Sequence, residues 1–244
     1  MTRSPSDPFI QAIRSRIDAA GFAVVPAAQT RRLLGDPTAD DIEAFQATWN
    51  DLVVDAYMAD GGRYRRRRHA VFQVHADTTM RLPHLPHYQS TEYNPLNGGI
   101  ERWFAPVGEA AAHSPALTGL FAACRTIFPL DPHQDYRAEL HQFRIEATAE
   151  AVGRPTPEGM HRDGVDWVCV MLMKRANLAE GTTSIARPDG TTLGAFTLTD
   201  PFDAVFLDDH RVMHGVTAVR PVDPALPAYR DVLVLTFKSP ITIR

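Results

Sequence analysis

The segment EGMHRDGVDWVCVML places His161 and Asp163 two residues apart at the entrance to an apolar run. In extended backbone both side chains project from one face, which is the spacing of a chelating pair. A third ligand is expected from a strand distant in sequence and adjacent in space, and FLDDHRVMHGVTAV offers His210 and His214. His214 is the better choice, because it directly precedes the alternation of Val216 and Ala218, whereas His210 sits in the polar turn Asp208-Asp209-His210-Arg211. Two imidazoles and one carboxylate on one face of an octahedron leave three metal positions open for other ligands.

A His-x-Asp pair alone is a weak signal in a chain with ten histidines. A fourth residue sharpens it. Arg230, in AYRDVLVLTF, begins an apolar strand, where an unpaired guanidinium is expensive to bury. There it could form a bidentate pair with the distal carboxylate of a dicarboxylic acid. The facial set of two histidines and a carboxylate is that of non-haem Fe(II) oxygenases. 2-Oxoglutarate would take two of the open positions through its 1-carboxylate and 2-oxo oxygen, and O2 the third. Gln142 and Arg144 share a face of the strand before this loop. Facing inward they would meet the 1-carboxylate of 2-oxoglutarate or a substrate carboxylate; facing outward, Arg144 would pair with Glu139 or Glu146. No serine or cysteine has a nucleophile-elbow context.

The elements that must position these residues are legible in outline. With 244 residues and 44% apolar composition, the chain can bury one substantial core, so a single domain over 1–244 is expected. Asp7 and Pro8 start a helix whose buried stripe is Ile10, Ile13 and Ile17 and whose stop is Gly21; GFAVV reads as the first strand. A second helix is predicted from Asp41, with Ile42, Phe45, Trp49, Leu52 and Val53 on one face, and a third from Ser114-Pro115, with Leu117, Leu120, Phe121 and Cys124. From Tyr136 the texture changes to short β-rich runs (LHQFRI, DWVCVMLM, TTSIA, GAFTL, AVFLD, GVTAV, DVLVLTF) between Pro, Gly and Asp turns. That pattern predicts a mainly β sandwich or barrel with flanking helices, its helical support mostly in 1–135 and its core mostly in 136–244.

Charge and cysteine usage exclude several classes. A net charge of −4 gives no basic field to draw the protein onto nucleic acid or anionic lipid, so a small-molecule substrate fits better. Cys124 and Cys169 lie in apolar runs and read as packing thiols. MTRSPSDPFIQ lacks the apolar region of a secretory signal, and no apolar run approaches the ~20 residues that span a bilayer, which predicts a cytoplasmic protein. The five arginines of GGRYRRRRHAVF could form a basic patch, but a solvated or carboxylate-paired strand is the plainer reading, with Arg63, Arg65 and Arg67 on one face. His84 and His87 in PHLPHYQ lie in an irregular loop that makes a poor second metal site, and residues 82–100 suit a lid.

The order His-x-Asp, distal His, then Arg on the closing strand resembles the 2-oxoglutarate/Fe(II) dioxygenase superfamily. The blocks YNPLNGGIERWFAPV, HQFRIEA, PEGMHRDGVDWV, KRANLAEGTTSIA, HGVTAV and YRDVLVLTF resemble the bacterial subfamily that includes L-isoleucine 4-hydroxylase. That resemblance implies a double-stranded β-helix (jelly roll), Fe(II) held by His161, Asp163 and His214, 2-oxoglutarate and O2 as co-substrates, and hydroxylation or sulfoxidation of a free L-amino acid. Leu178-Ala179-Glu180-Gly181 departs from the paired glycine expected in that block, which leaves room for a different substrate preference. The rivals are a cupin-like metal isomerase or hydrolase, which has no use for Arg230, a polypeptide hydroxylase of the same superfamily, and a degenerate jelly-roll binding module.

Overall fold

The computed structural model describes residues 6–240; residues 1–5, part of the stretch read above for a secretory signal, lie outside that range. Helix α1 (Pro8–Ala20) is built as its sequence predicts. Asp7 accepts from the Phe9 amide at 2.9 Å, Ile10, Ile13 and Ile17 are buried, and Gly21 ends the helix in the left-handed region at φ 81°. Strand β1 (Phe22–Val25) and helices α2 (Ala27–Leu33) and α3 (Ala39–Ala47) follow. A capping box between Thr38 and Asp41 starts α3, but the helix predicted to run through Val53 stops at Ala47 and tightens into a 3-10 turn over Thr48–Asp51. The turn lays Trp49 against the sheet, where its indole N–H donates to the Phe143 carbonyl at 3.1 Å.

The remaining elements are β2 (Val53–Val54), β3 (Arg65–His75), β4 (Thr78–Arg81), α4 (Glu109–Ala112), α5 (Pro115–Ile127), β5 (Asp135–Ala147), β6 (Trp167–Ala176), β7 (Leu178–Glu180), β8 (Thr183–Ala186), β9 (Thr192–Phe196), β10 (Ala204–Asp208), β11 (Met213–Val216), β12 (Val219–Pro221) and β13 (Ala228–Lys238). The main sheet has the order β1-β10-β6-β13-β5-β3-β2, with β4 on β3; β11-β8-β9 form a second sheet and β12-β7 a third. All named pairs are antiparallel. This is the mainly β, jelly-roll architecture with flanking helices. The main sheet is not confined to residues after 135, however: β3 pairs along β5 from Arg65↔Ile145 to His75↔Asp135. The expected strand GVTAV is two strands, β11 and β12, because the Thr217 hydroxyl accepts from the Gly181 and Thr182 amides and the chain changes partner there.

Alternation along the central strands makes two faces. Leu140 of β5, Met171 of β6 and Leu233 and Leu235 of β13 point into a dry layer shared with Ile13, Leu120 and Phe121 of the helices. Both cysteines are free and buried in it. The opposite face, carrying Glu139, His141, Phe143, Arg230, Val232 and Val234, looks across a cavity toward β11. Among the described residues no helix is long and apolar enough to cross a membrane.

Leu235 is fully buried on the central strand, so Leu235→Ala should cost about 2–5 kcal/mol of stability in urea unfolding, from lost transfer energy plus a residual cavity. A loss below about 1 kcal/mol would contradict the dry layer described here.

Candidate metal centre and active site

His161 and His214 meet across a backbone bridge. His161 N–H donates to the His214 carbonyl at 3.0 Å, the reverse bond is 2.9 Å, and the ring centroids stand 4.5 Å apart. The Gly159 carbonyl lies 3.0 Å from His161 Nδ1 and accepts from it, which leaves Nε2 facing the cavity. Asp163 closes the group: its carboxylate oxygens lie 3.7 Å from Nε2 of His161 and 3.7 Å from Nε2 of His214. The three offer ligand atoms within 4.8 Å of one another and could hold a metal ion.

The sequence does not reveal what fixes this group. Asp209, only 2% exposed, accepts from the amides of Asp163 at 3.0 Å, Gly164 at 2.8 Å and Val165 at 3.1 Å. One buried carboxylate thus sets the loop that aims Asp163. Gly164 is required on two grounds: its φ is 77°, and a Cβ would stand 2.5 Å from the Tyr93 ring. The Gln89 amide nitrogen lies 3.1 Å from the Asp163 carbonyl, while its oxygen accepts from Arg102 at 3.0 Å and Asn94 at 3.2 Å. Those two donors dictate which end of the Gln89 amide faces the loop.

The triad opens on a cavity of about 650 Å³. Residues 85–90, with Tyr93, Asn94, Glu101 and Arg102, wall one side of it, so the segment read as a lid does border the site. Arg230 is 3% exposed, faces this cavity, and has no carboxylate within 4 Å among the described residues. Its Nε is buried without a partner. Burial and the charge of Arg175 lower it to about 10, which still leaves it cationic near neutrality. A lone buried guanidinium is costly unless an anion joins it.

Gln142 and Arg144 are not part of this cavity, which corrects the inward placement weighed above. They sit on the opposite face of β5. Gln142 donates to the Thr48 hydroxyl at 2.9 Å, and Arg144 grips Asp231 through two bonds of 2.7 and 2.8 Å. Neither is turned toward a cofactor. The arginine run is carboxylate-paired: Arg65 bonds Asp55 at 2.7 Å, Arg66 bonds Glu146 at 2.9 Å and Arg68 bonds Asp51 at 3.2 Å. Arg67 is also drawn to Asp55, at 3.7 Å, and stacks on Phe104 with its guanidinium carbon 3.5 Å from the ring centroid. Although burial opposes its charge, Arg67 and Arg65 hold the Asp55 carboxyl below its usual range.

The remaining histidines divide. His210 is exposed and bonds Asp166 at 2.9 Å, in keeping with its place in a turn. His84 does not join His87; it bonds the Phe104 carbonyl at 2.8 Å. His87 instead meets His69, Glu139 and His141 in a second group with metal-ligand chemistry. Here Glu139 bonds His69 at 2.9 Å, His87 at 2.6 Å and Arg137 at 2.8 Å. Arg67 donates to His141 Nδ1 at 2.7 Å. Burial lowers all three imidazoles, His69 to about 4, so neutral rings surround one anionic carboxylate. The adjoining guanidinium of Arg67 makes this a poorer seat for a cation than the triad.

A jelly roll with two histidines and a carboxylate at its cavity has the fold and donor set of a non-haem iron oxygenase. The chain belongs to the 2OG-Fe dioxygenase family, whose model matches residues 46–236. The metal of that family is Fe(II), and its co-substrates are 2-oxoglutarate and O2. The chain is 26% identical over 208 residues, 82% of each chain, to a 3(1)-hydroxy-L-isoleucine 4-dioxygenase of Pantoea ananatis. It is 28% identical over 158 residues, 62% of this chain and 64% of the relative, to an L-isoleucine-4-hydroxylase of Bacillus thuringiensis. Among solved structures, a bsmA homologue from Methylobium petroleophilum is 37% identical with a TM-score of 0.84, covering 94% of this chain and 93% of that one. The Bacillus thuringiensis protein IDO shares the fold at a TM-score of 0.77 and 19% identity, covering 98% of both chains.

The protonation pattern gives a measurable consequence. Burial opposes a charge on His161, but its bond to Asp163, the Asp163 charge and nearby Glu158 outweigh this and raise it to about 9. Burial and the His161 charge lower His214 to about 4; burial opposes the charge on Asp163, but the His161 bond and the two imidazoles outweigh it and hold that carboxyl below the usual range. At pH 7 the metal-free triad therefore carries its proton on His161, and a metal ion must displace it. Binding of Fe(II) should release about one proton at pH 7 and should tighten as pH rises toward 9, because His161 is protonated below that value. Anaerobic calorimetry in buffers of different ionisation enthalpy reads this directly; no proton release would contradict the arrangement.

Proposed function

We propose that this chain is a 2-oxoglutarate-dependent Fe(II) hydroxylase of free L-amino acids, with His161, Asp163 and His214 holding the iron and Arg230 holding the 5-carboxylate of 2-oxoglutarate. The observation that carries the reading is the pairing of two features in one cavity: a compact His-Asp-His donor set and a buried guanidinium without a counter-ion. A cupin-like isomerase or hydrolase would use the first and leave the second unexplained. The donor set also fits the metal chemically, since nitrogen and carboxylate ligands on one face suit Fe(II) and leave positions open.

When bound, the iron and 2-oxoglutarate supply the oxidation: O2 is consumed, 2-oxoglutarate leaves as succinate and CO2, and one oxygen atom is inserted into a substrate C–H bond. The chain's own residues orient and enclose. The Gly159 carbonyl accepts from His161 Nδ1–H, so Nε2 is the nitrogen turned to the metal once its proton has left. Asp209 holds the 163–165 backbone, and the Arg102–Gln89 contact ties the wall segment to that loop. Val170, Val232 and Val234 line the cavity between triad and sheet and keep part of it apolar, which favours an aliphatic group near the metal. The two relatives with isoleucine-based names support an amino acid as the substrate class. The domain is proposed to comprise the whole of residues 1–244, acting without nucleic acid or membrane and in the cytoplasm.

The experiment is succinate formation by the iron-loaded protein over a panel of L-amino acids, with 18O2 to trace the product oxygen. One or more aliphatic or thioether amino acids should raise succinate release well above the basal rate and yield a product about 16 mass units heavier than the substrate under 16O2 and about 18 heavier under 18O2. His161→Ala and Asp163→Ala should each abolish that turnover. Wild-type activity in either variant would remove the ligand set, and a panel with no responder would remove the amino-acid substrate.

A further inference from the structure

Three of the five guanidinia that line the cavity are matched by carboxylates, and the exposed Lys238 of the lining donates to the Gly164 carbonyl at 2.8 Å. Arg65 and Arg67 share Asp55, and Arg137 pairs with Glu139, which also takes bonds from His69 and His87. Among the described residues, two cavity guanidinia have no carboxylate within 4 Å: Arg230 and Arg102. The proposed reaction brings two anionic groups into this space, the distal carboxylate of 2-oxoglutarate and, in a free amino acid, the α-carboxylate. Arg230 accounts for one of them. Arg102 stands free for the other.

Arg102 is 1% exposed, its Nε is buried without a partner, and its Nη2 donates to the Gln89 side-chain oxygen. It is held in place from both sides. Its backbone exchanges bonds of 3.0 and 2.9 Å with His87, and its guanidinium carbon lies 5.7 Å from the centre of the Phe104 ring. A matching anionic residue is Glu158. Its side chain is 8% exposed and lines the same cavity, and Oε2 is buried with no hydrogen-bond partner. Oε1 has only a long contact, 3.5 Å from His161 Nε2, an atom that would be given to the metal in the loaded protein. Arg102 and Glu158 feel each other's charge across the cavity, yet they do not pair. A ligand with one charge would leave one of them buried and unmatched. A zwitterion matches both.

Resting on the amino-acid reading above, we infer that Arg102 and Glu158 form the zwitterion subsite: Arg102 receives the α-carboxylate of the substrate and Glu158 its α-ammonium group. The aliphatic side chain is then left to the apolar part of the cavity. Arg102 also donates to Gln89, whose amide bonds the Asp163 carbonyl, so the residue that receives the α-carboxylate is tied to the loop that carries Asp163.

The test is anaerobic calorimetry on protein loaded with Fe(II) and 2-oxoglutarate, using L-leucine, its decarboxylated analogue 3-methylbutylamine and its deaminated analogue 4-methylpentanoic acid, in wild type, Arg102→Gln, Arg102→Lys and Glu158→Gln. Wild type should bind L-leucine at least about tenfold more tightly than either analogue, the scale of a charge-assisted hydrogen bond. Arg102→Gln should weaken L-leucine and the acid by about tenfold to a hundredfold and leave the amine unchanged, with partial recovery in Arg102→Lys. Glu158→Gln should weaken L-leucine and the amine and leave the acid unchanged. Persistence of the Fe(II)–2-oxoglutarate visible band in each variant shows that the site is intact. Equal loss of all three ligands, or discrimination kept in both variants, would overturn the inference while leaving the amino-acid reading standing. A wild-type protein that forms the band but binds neither L-leucine nor the amino acids of the turnover panel would overturn both together.

Discussion

The long antiparallel pairing of β13 with β5, eleven residues in register from Ala228↔Ala147 to Lys238↔Arg137, decides what the cavity contains. Side chains alternate strictly along such a ladder, so fixing which face carries Leu233 and Leu235 fixes which face carries Arg230, Val232 and Val234. The same parity runs through β3, which pairs with β5 along its whole length and places Arg65, Arg67 and His69 in line with Ile145, Phe143 and His141. A slip of one residue would send the arginines into the helix layer and the leucines into the cavity. The large apolar area buried under α1, α3 and α5 holds the register against that slip.

With the sheet fixed, the metal group depends on shorter devices. His161 precedes β6, His214 lies in β11, and the two are joined by a single bridge rather than a long ladder. Precision at Asp163 comes from Asp209, which gathers three consecutive amides and leaves the Asp163 carboxylate free to face both imidazoles. Burial and the Asp163 charge raise Asp209 to about 6. Two carboxylates are thus kept close together, and the amides and imidazoles around them offset the repulsion.

That His161, Asp163, His214 and Arg230 meet at one cavity is legible in sequence because each carries a local signal: a two-residue spacing, a strand-leading histidine, an arginine where an apolar strand begins. The first helix and α5 were equally clear from their caps and stripes. Gln142 and Arg144 are ambiguous in sequence for a definite reason. In LHQFRIEA polar residues occur at both parities, since one face of β5 meets a polar cavity and the other meets Thr48 and Asp231, so alternation alone cannot say which side is which. Asp209, Gln89 and Arg102 escaped because their roles exist only in space: an acid in a polar turn and two residues in an irregular segment acquire meaning from amides and side chains far along the chain. The arginine run shows the converse. Its composition allows a basic patch or a carboxylate-paired strand, and the structure has the second: strand parity turns Arg65 and Arg67 inward and Asp55 absorbs their charge.

Whether the His-Asp-His group and Arg230 together hold one iron–2-oxoglutarate chelate, as proposed, is decided by an anaerobic spectroscopic titration. Fe(II) followed by 2-oxoglutarate should develop the weak visible charge-transfer band of the bidentate chelate in the wild type. In Arg230→Ala the band should require much higher 2-oxoglutarate, by tenfold or more for a charge-assisted, bidentate contact. No band in the wild type at saturating concentrations, or an unchanged 2-oxoglutarate requirement in Arg230→Ala, would contradict the account.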